Sequence, residues 1–403
     1  PLFGDYLGLP KLGTGVRVNA LPFAAYAKIW EEWYRDQNLV ASKYKVLNAG
    51  SNPDYLTYAS QEPFRRSWMH DYFTSCLPFA QKGDEVKIPL IQGTTIDVQA
   101  RPASGPTLVR DPNNGNLRGS TNIGTNTQGE LQADGQPSYT DPNGNHFIQL
   151  DSEASSINTL RRAFRLQEWL ERNARGGTRY VELIKSHFGV ASPDARQARP
   201  EYIGGSKGSM VISEVLSTAQ TEPTAGNVSN PVGQMAGHGV SMNGSKPMKY
   251  YATEHGWIIG LLNIQPITAY QQGLHRSLSR TQVEEYYWPS FANIGEQAVL
   301  KKEIYADQGA ANNETFGYVP RYAEYKYQNN RVHGEMKTSL SQWQMGRQFS
   351  NAPLLNEQFI QCDTSEIENR IFAVPENTHK VYAHIYNNVK AVRKMPKFGV
   401  PTI

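Results

Sequence analysis

Glycine and proline divide this chain into short segments. Its 403 residues include 34 glycines and 24 prolines. Both residues interrupt helices, and together with asparagine and serine they favour turns between strands. Only 19% of the residues are charged, whereas tyrosine occurs 22 times. This composition predicts a mainly β protein with long loops and few, short helices.

The segment at residues 20–38 has the clearest helical pattern in the chain. Its sequence is ALPFAAYAKIWEEWYRDQN. Aromatic residues recur there every three or four positions, which places them on one face of a helix. Such a helix lies either in the core of its own domain or between that domain and a neighbouring subunit, and periodicity alone favours the first. The aromatic residues are Phe23, Tyr26, Trp30, Trp33 and Tyr34.

Other elements are predicted further along the chain. Residues 153–174 and 179–189 show helical spacing of apolar positions. Residues 84–91 alternate between apolar and polar side chains, which is typical of a strand. Residues 254–267 contain the continuous apolar run GWIIGLL, which predicts a fully buried strand. Residues 370–392 read as a strand, a turn and a second strand.

The stretch at residues 101–146 differs from the rest of the chain. It is rich in glycine, asparagine, proline, threonine and glutamine, and it contains the turn sequences DPNNGN at 111–116 and DPNGN at 141–145. A stretch this polar cannot form a core, and it is longer than an ordinary connection. The spacing of its acidic residues does not match a calcium-binding loop, so turns are predicted and no metal site.

Charge, cysteine content and hydropathy limit the classes of function. The net charge of +3 is too small to mark the whole chain as a nucleic-acid binder, so any such role must be local. The two cysteines, Cys76 and Cys362, form no disulfide framework, which fits a reducing compartment. The longest apolar run, at 256–262, is far shorter than a membrane span, so no membrane insertion is predicted.

No motif in the sequence indicates catalysis. The serine-hydrolase, zinc-protease and phosphate-loop patterns are absent, and the G-x-G at 12–18 lacks a third glycine and a preceding strand. Two acid–imidazole pairs occur at 70–71 and 254–255, but neighbours on a strand point in opposite directions. We therefore predict neither an enzyme nor a cofactor. A hydrolase with two carboxylates brought together from distant positions is left open, since sequence cannot show one.

The C-terminal region is basic, because no acidic residue follows Glu376. It is either a solvated tail or a contact for phosphate groups, with Tyr382 and Tyr386 able to stack on bases. The predicted helix at 153–174 is basic as well, and its arginines suit ion pairs at a subunit contact. The candidate DNA-facing residues of the C-terminal region are Lys380, Lys390, Arg393, Lys394 and Lys397.

Several long stretches resemble the major capsid protein of the microviruses, which are small single-stranded DNA bacteriophages, and above all their gokushovirus-like branch. The stretches keep their order along nearly the whole chain. They are VNALPFAAYAKIWEEWYRDQNL (18–39), HDYFTSCLPFAQKGDEVKIPL (70–90), ERNARGGTRYVELIKSHFGVASPDARQARPEYIGG (171–205), EHGWIIGLLNIQPITAYQQGLHR (254–276), YYWPSFANIGEQAVLKKEIY (286–305) and TFGYVPRYAEYKYQNNRVHGEM (315–336).

The resemblance implies a single viral jelly-roll domain, an antiparallel β-barrel with long inserted loops, over residues 1–403. It implies a virion protein without catalytic activity that assembles with itself, in the host bacterial cytoplasm, into an icosahedral shell around circular single-stranded DNA. Further partners implied by the family are a small basic DNA-binding protein, a pilot protein, a scaffolding protein and a host surface receptor or glycan. Family members also carry early barrel strands upstream of residues 4–10, so the natural chain is expected to be longer.

Three groups of residues follow as candidates from this reading. Residues 101–148 lie between the matching stretches and have the composition of an inserted loop, so we expect them to form the protrusion that this branch carries at the three-fold axes. Subunit contacts are expected at Trp30, Trp33, Tyr34, Arg161 and Arg165. Protrusion contacts are expected at Asp111, Asn113, Asn114, Gly115, Asp141 and Asn143. A β-rich carbohydrate-binding module or adhesin is the alternative, because clustered tyrosine and tryptophan suit stacking on sugars.

Overall fold

The computed structural model describes residues 3–10, 16–87, 157–220, 232–307, 309–374, 378–393 and 397, and seven short strands between residues 98 and 148. The chain divides into two compact units. The first comprises residues 1–80 and 176–403, and the second comprises residues 81–175.

Eight α-helices lie in the described part of the chain. They are α1 (Phe3–Tyr6), α2 (Leu21–Trp33), α3 (Pro53–Ala59), α4 (Ile157–Gly176), α5 (Tyr180–Phe188), α6 (Lys301–Ile304), α7 (Glu357–Ile360) and α8 (Ser365–Ile371). Single turns of 3-10 helix occur at Ala195–Gln197, Arg276–Leu278, Val283–Glu285, Pro289–Phe291, Ala310–Asn313, Ala323–Tyr325, Gly334–Lys337 and Ser341–Trp343. None of the described helices has the length and apolarity needed to cross a membrane.

The helix predicted at 20–38 is confirmed as α2. Pro22 lies in its first turn, where a missing N–H costs nothing, and the N–H of Leu21 donates to Oδ1 of Asn19 at 2.9 Å. The helix ends at Trp33, so the last five predicted residues are not helical. The helices predicted at 153–174 and 179–189 are confirmed as α4 and α5. Helix α5 stops at Gly189, whose φ of 69° is the left-handed conformation that glycine adopts without strain.

The described strands form small sheets. The strands are β1 (Val98–Ala100), β2 (Leu108–Arg110), β3 (Leu117–Gly119), β4 (Ile123–Thr125), β5 (Leu131–Ala133), β6 (Gln136–Pro137), β7 (His146–Ile148), β8 (Val211–Leu216), β9 (Met235–Val240), β10 (Ala269–Tyr270), β11 (Glu296–Leu300), β12 (Thr315–Pro320) and β13 (Asn330–Arg331). Antiparallel pairing joins β1–β7, β2–β3, β4–β5–β6, β8–β9 and β11–β12, whereas β10–β13 is parallel.

The strands predicted in two segments are wrong. Residues 254–267 form no strand, and most of their side chains are exposed. Residues 370–392 begin within α8 and contain no strand among those described. The apolar run at 254–267 indicated burial, but no described strand pairs with either segment, and most of their described side chains are exposed. Of the strand predicted at 84–91, residues 84–87 are not in a strand and the others lie outside the described residues.

The core of the first unit surrounds the β11–β12 pair. Along β11, Gln297 and Val299 are buried while their neighbours are partly exposed, as the alternation of a strand requires. Val319 of β12 and Phe359 of α7 are buried too, and the ring of Phe359 meets that of Phe316 edge to face at 5.1 Å. A second cluster joins α1, α2 and α3 through Phe3, Phe23, Ala24, Tyr26, Ala27 and Tyr55. Burial raises the pKa of Tyr26 to about 12.

Candidate assembly and nucleic-acid interfaces

Helix α2 and the residue that follows it carry three of the predicted interface residues, and they differ in burial. Trp30 is only 2% exposed. Its Nε1 donates to the carbonyl oxygen of Arg65 at 3.0 Å, and its ring lies 5.2 Å from that of Phe64, edge to face. Tyr34 is half-buried beneath the guanidinium group of Arg66. Trp30 therefore packs in the core of its own unit, and its predicted contact with another subunit stays a prediction.

Trp33 lies one turn further along α2 and is 44% exposed. Its Nε1 donates to the carbonyl oxygen of Pro200 at 3.0 Å, and the guanidinium group of Arg199 lies over its ring at 5.4 Å. Arg199 is fixed in turn by Glu32, whose carboxylate lies 3.0 Å from Arg199 and 2.9 Å from Arg179. These contacts fix the indole ring of Trp33 while leaving it partly exposed. Tryptophan is enriched at protein interfaces, so Trp33 suits a subunit contact.

Helix α4 is exposed along most of its length. Arg165 pairs with Glu168 at 2.7 Å, and Arg172 pairs with the same carboxylate at 3.0 Å. Arg161 is exposed and has no partner among the described residues. Phe164 is exposed on the same helix. The apolar and basic faces predicted from sequence are therefore both present on α4, and both are open.

The predicted protrusion residues cannot be placed. Asp111, Asn113, Asn114, Gly115, Asp141 and Asn143 all lie outside the described residues. Around them the structure describes only the short strands β1–β7 of the second unit. The assignment of residues 101–148 to a three-fold protrusion stays a prediction.

The predicted DNA-facing residues lie in an open segment. Residues 378–393 contain neither helix nor strand, and apart from Lys380 their side chains are exposed. Nζ of Lys380 donates to the carbonyl oxygen of Val374 at 3.0 Å. Lys390 and Arg393 have no partner within the described part of the chain, and Lys397 is exposed. Lys394 lies outside the described residues.

Aromatic residues accompany these cations, as the sequence suggested. Tyr382 is 92% exposed, and Tyr386 is nearly as open. Phosphate groups bind lysine and arginine, and bases stack on tyrosine without regard to sequence. The segment therefore has the chemistry of a single-stranded nucleic-acid contact.

A buried ion cluster, which sequence reasoning missed, lies beside the β11–β12 pair. Nη2 of Arg280 lies 2.7 Å from Oε1 of Glu324, and Nη1 of Arg276 lies 3.2 Å from Oε1 of Glu303. The hydroxyl of Tyr72 donates to Glu303 at 2.8 Å, and Nε2 of Gln297 donates to Glu324 at 2.6 Å. The cluster joins residues far apart in the chain, so no local spacing in the sequence could have revealed it.

The two carboxyl groups of the ion cluster are shifted in opposite directions. Burial raises the pKa of Glu303, and this effect exceeds the opposing hydrogen bond from the N–H of Leu300 and the charge of Arg276. Burial also acts on Glu324, but hydrogen bonds from Gln297 and Arg280 outweigh it and lower its pKa. Both carboxylates make ion pairs and hydrogen bonds with other residues of the chain, which is typical of a structural network.

The described surface exposes many apolar side chains. Large exposed apolar side chains occur along much of it, including the segment at 250–267, α4, β8 and the segment at 378–393. No described group of three histidine, cysteine, aspartate or glutamate side chains is placed to hold a metal ion. A monomer rarely exposes apolar surface on this scale, whereas a subunit of a larger assembly covers it with its neighbours. The exposed apolar surface is therefore typical of a subunit of a larger assembly.

The chain belongs to the phage capsid protein (F protein) family, whose model matches residues 2–403. It is 35% identical over 413 residues to the capsid protein VP1 of Bdellovibrio phage phiMH2K, covering 98% of this chain and 75% of the relative. Identity to the capsid protein VP1 of Chlamydia phage 1 is 33%, over 98% of this chain and 76% of the relative. Identity to the capsid protein VP1 of Spiroplasma virus 4 is 31%, over 98% of this chain and 75% of the relative.

The three phages are gokushoviruses of the Microviridae, so the resemblance predicted from sequence is confirmed. The chain is a structural capsid protein of the virion and not an enzyme. As a capsid protein it assembles with other copies of itself into a shell that packages genome DNA.

Proposed function

We propose that this chain forms a jelly-roll subunit of a small icosahedral shell around circular single-stranded DNA. The observation that carries the proposal is the contrast within the first unit. One part has a closed core at β11–β12, and another part leaves a long apolar run open at residues 254–267. Apolar side chains in such numbers are stable in water only when a neighbour covers them.

Support for the antiparallel barrel comes from the membership of the family and from the register of β11–β12, where Gln297 is opposite Val319 and Ala298 is opposite Tyr318. We infer that the inserted loop at 101–148 reaches outward and takes part in host attachment, through a receptor or glycan. We infer further that assembly takes place in the host bacterial cytoplasm with scaffolding and pilot proteins, and that a small basic DNA-binding protein accompanies the genome.

Electron microscopy of purified particles, combined with nuclease protection of the same fractions, tests the shell. We expect uniform icosahedral particles that hold protected single-stranded DNA. Small, well-folded oligomers without nucleic acid, from the full-length protein with its scaffolding partners present, would overturn the proposal. That result would favour the carbohydrate-binding alternative.

We infer that the basic C-terminal segment lies on the inner surface and neutralises the packaged DNA. The open positions of Lys390 and Arg393 support this, because both are exposed and neither has a described partner. Replacing Lys390, Arg393, Lys394 and Lys397 by glutamine removes four positive charges per subunit. We expect less DNA per particle and unchanged yields of empty shells.

A matched control replaces exposed lysines outside this segment, namely Lys207, Lys246 and Lys326, together with Arg196. This control removes the same number of charges, so it separates a local effect from net charge. Equal DNA content in the two sets of particles would contradict an inner, DNA-facing position of the C-terminal segment.

A further inference from the structure

A cavity of about 420 Å³ opens beside the β10–β13 pair, away from the basic C-terminal segment in sequence. Its lining includes the buried rings of Tyr72, Phe73 and Tyr270 and the buried carboxylate of Glu303. Most of the exposed part of the lining comes from residues 327–337, together with Ser277 and Leu278. Sites for small ligands are concave, measure a few hundred Å³, and combine apolar walls with a few polar groups.

The lining has an excess of positive charge. Its two carboxylates, Glu303 and Glu324, are already paired with arginines of the buried ion cluster. Arg331 and Lys337 also line the cavity, and both are exposed without a partner among the described residues. His275 lies in the same lining, where burial lowers its pKa and the charges of Arg331 and Arg280 lower it further. An anion is therefore the ligand that this charge distribution favours.

Two further groups indicate what the anion carries. Tyr327 lines the cavity, is 38% exposed and makes no ring contact with the described residues. Gln271 lines it as well, and its Oε1 is buried and accepts no hydrogen bond within the described structure. A buried acceptor without a donor is unfavourable, so a ligand N–H that reaches this amide removes that cost. A flat ring with N–H groups fits both residues.

We propose that this cavity binds a nucleoside phosphate, with the base against Tyr327, a base N–H directed to Gln271 and the phosphate at Arg331 and Lys337. Every base has a flat face for stacking and most carry amino or imino donors. An acidic peptide satisfies the two cations but leaves the tyrosine ring unused. The nucleoside phosphate comes either from the packaged strand, in which case the inference rests on the proposed packaging function, or from free nucleotide in the host cell.

Photochemical cross-linking tests the site in the assembled particle. Intact DNA-filled particles are irradiated with ultraviolet light, digested with nuclease and protease, and analysed by mass spectrometry. We expect nucleotide adducts on the peptide that contains residues 327–337. Tyr327→Leu should lower their yield about tenfold, as expected for the loss of one stacking contact. Tyr325→Leu is the matched control, because Tyr325 is exposed nearby but does not line the cavity.

A second probe distinguishes the two sources. Empty shells are labelled with 8-azido-dATP, and labelling at residues 327–337 would show that the site takes free nucleotide as well as a strand. Arg331→Gln and Lys337→Gln should each weaken this labelling or the strand cross-link about tenfold, since each removes a charged hydrogen bond to phosphate. Lys326→Gln, an exposed neighbour outside the lining, should leave both unchanged.

The outcomes separate this site from the packaging function. Filled particles with normal DNA content, no adduct at 327–337 and no labelling of empty shells would overturn the site and leave packaging intact. Particles that never contain DNA would overturn packaging, and labelling of empty shells would then still support the site. A peptide cross-linked in the cavity in place of nucleotide would also overturn the proposal.

Discussion

Two regions of the first unit differ in whether the chain itself buries their apolar side chains and pairs their charged ones. Around β11–β12 the apolar residues are buried, and the charged residues of the ion cluster find partners within the chain. In the segments at 250–267 and 378–393, rings and aliphatic side chains are open, as with Ile258 at 72% exposure and Tyr386 at 84%. The first region satisfies its apolar and charged groups within the chain. Under the proposed function, neighbouring subunits or packaged DNA cover the second region.

The contrast implies two kinds of mutational effect. Changes in the closed region should lower the stability of the chain wherever it is measured. Changes in the open region should leave the chain unaffected and alter only assembly or DNA content. Most of the predictions below compare a buried residue with a matched exposed one, and they run from the largest expected effect to the smallest.

Trp30→Ala is expected to give the largest loss of stability. It empties a buried site and removes the hydrogen bond to the carbonyl oxygen of Arg65. Such changes cost about 3–5 kcal/mol. Trp33→Ala, one turn away and 44% exposed, should cost less than about 1 kcal/mol in the chain but lower the yield of shells. Denaturant unfolding and sedimentation of particles measure the two effects, and equal losses of unfolding free energy would remove the distinction between the two tryptophans.

Glu324→Gln should destabilise the chain by about 3 kcal/mol, because it leaves Arg280 buried without a counter-charge. The matched control is Glu314→Gln. Glu314 pairs with Lys301 at 2.6 Å, but its side chain is 61% exposed, so its loss should cost at most about 1 kcal/mol. Unfolding in urea compares the two variants, and similar midpoints would show that the buried cluster contributes no more than a surface ion pair.

The sequence predicted the elements that depend on local pattern. The aromatic spacing of α2 and the glycine that ends α5 are both visible in a short window. The ion cluster was not predictable, because Arg276, Glu303 and Glu324 meet only through the tertiary fold. The run GWIIGLL at 256–262 shows a different limit. Its composition predicted a fully buried strand, but composition does not reveal whether the partner that buries an apolar run belongs to the same chain.

Gly273→Ala should cost about 1–3 kcal/mol. A methyl group there would collide with the carbonyl oxygen of Glu303 and lie 2.9 Å from the carbonyl carbon of Ile304, and these backbone atoms cannot turn aside. Gly260→Ala is the matched change in the open region, where nothing lies within 4 Å of the added methyl group. The chain with Gly260→Ala should unfold like the parent. A lower melting temperature of its assembled particles alone would show that a neighbour covers residue 260.

Acid should weaken the closed region through Glu324. Its pKa is lower in the folded chain than the ordinary value of 4.5, so the unfolded chain binds the proton more tightly. The stabilisation is therefore complete above pH 4.5 and is lost as the pH falls through the folded pKa. Glu303 has a raised pKa and acts in the opposite direction, so it gains its proton first and offsets part of the loss. The stability difference between the parent and Glu324→Gln should shrink below pH 4.5, and a difference that stays constant would contradict this assignment.

The smallest effect on the chain is expected at α4. Arg161→Gln combined with Arg165→Gln removes one open charge and one exposed ion pair, so the unfolding free energy should change by less than about 1 kcal/mol. If α4 meets another subunit, as predicted, the same change should lower the yield of shells, and more so at low salt, where charge pairs are less screened. Arg172→Gln controls for the loss of the pair with Glu168, which Arg172 also contacts. Equal yields of shells from the parent, the double variant and Arg172→Gln would place the basic face of α4 in solvent. A loss of yield confined to the double variant would place it at a subunit contact.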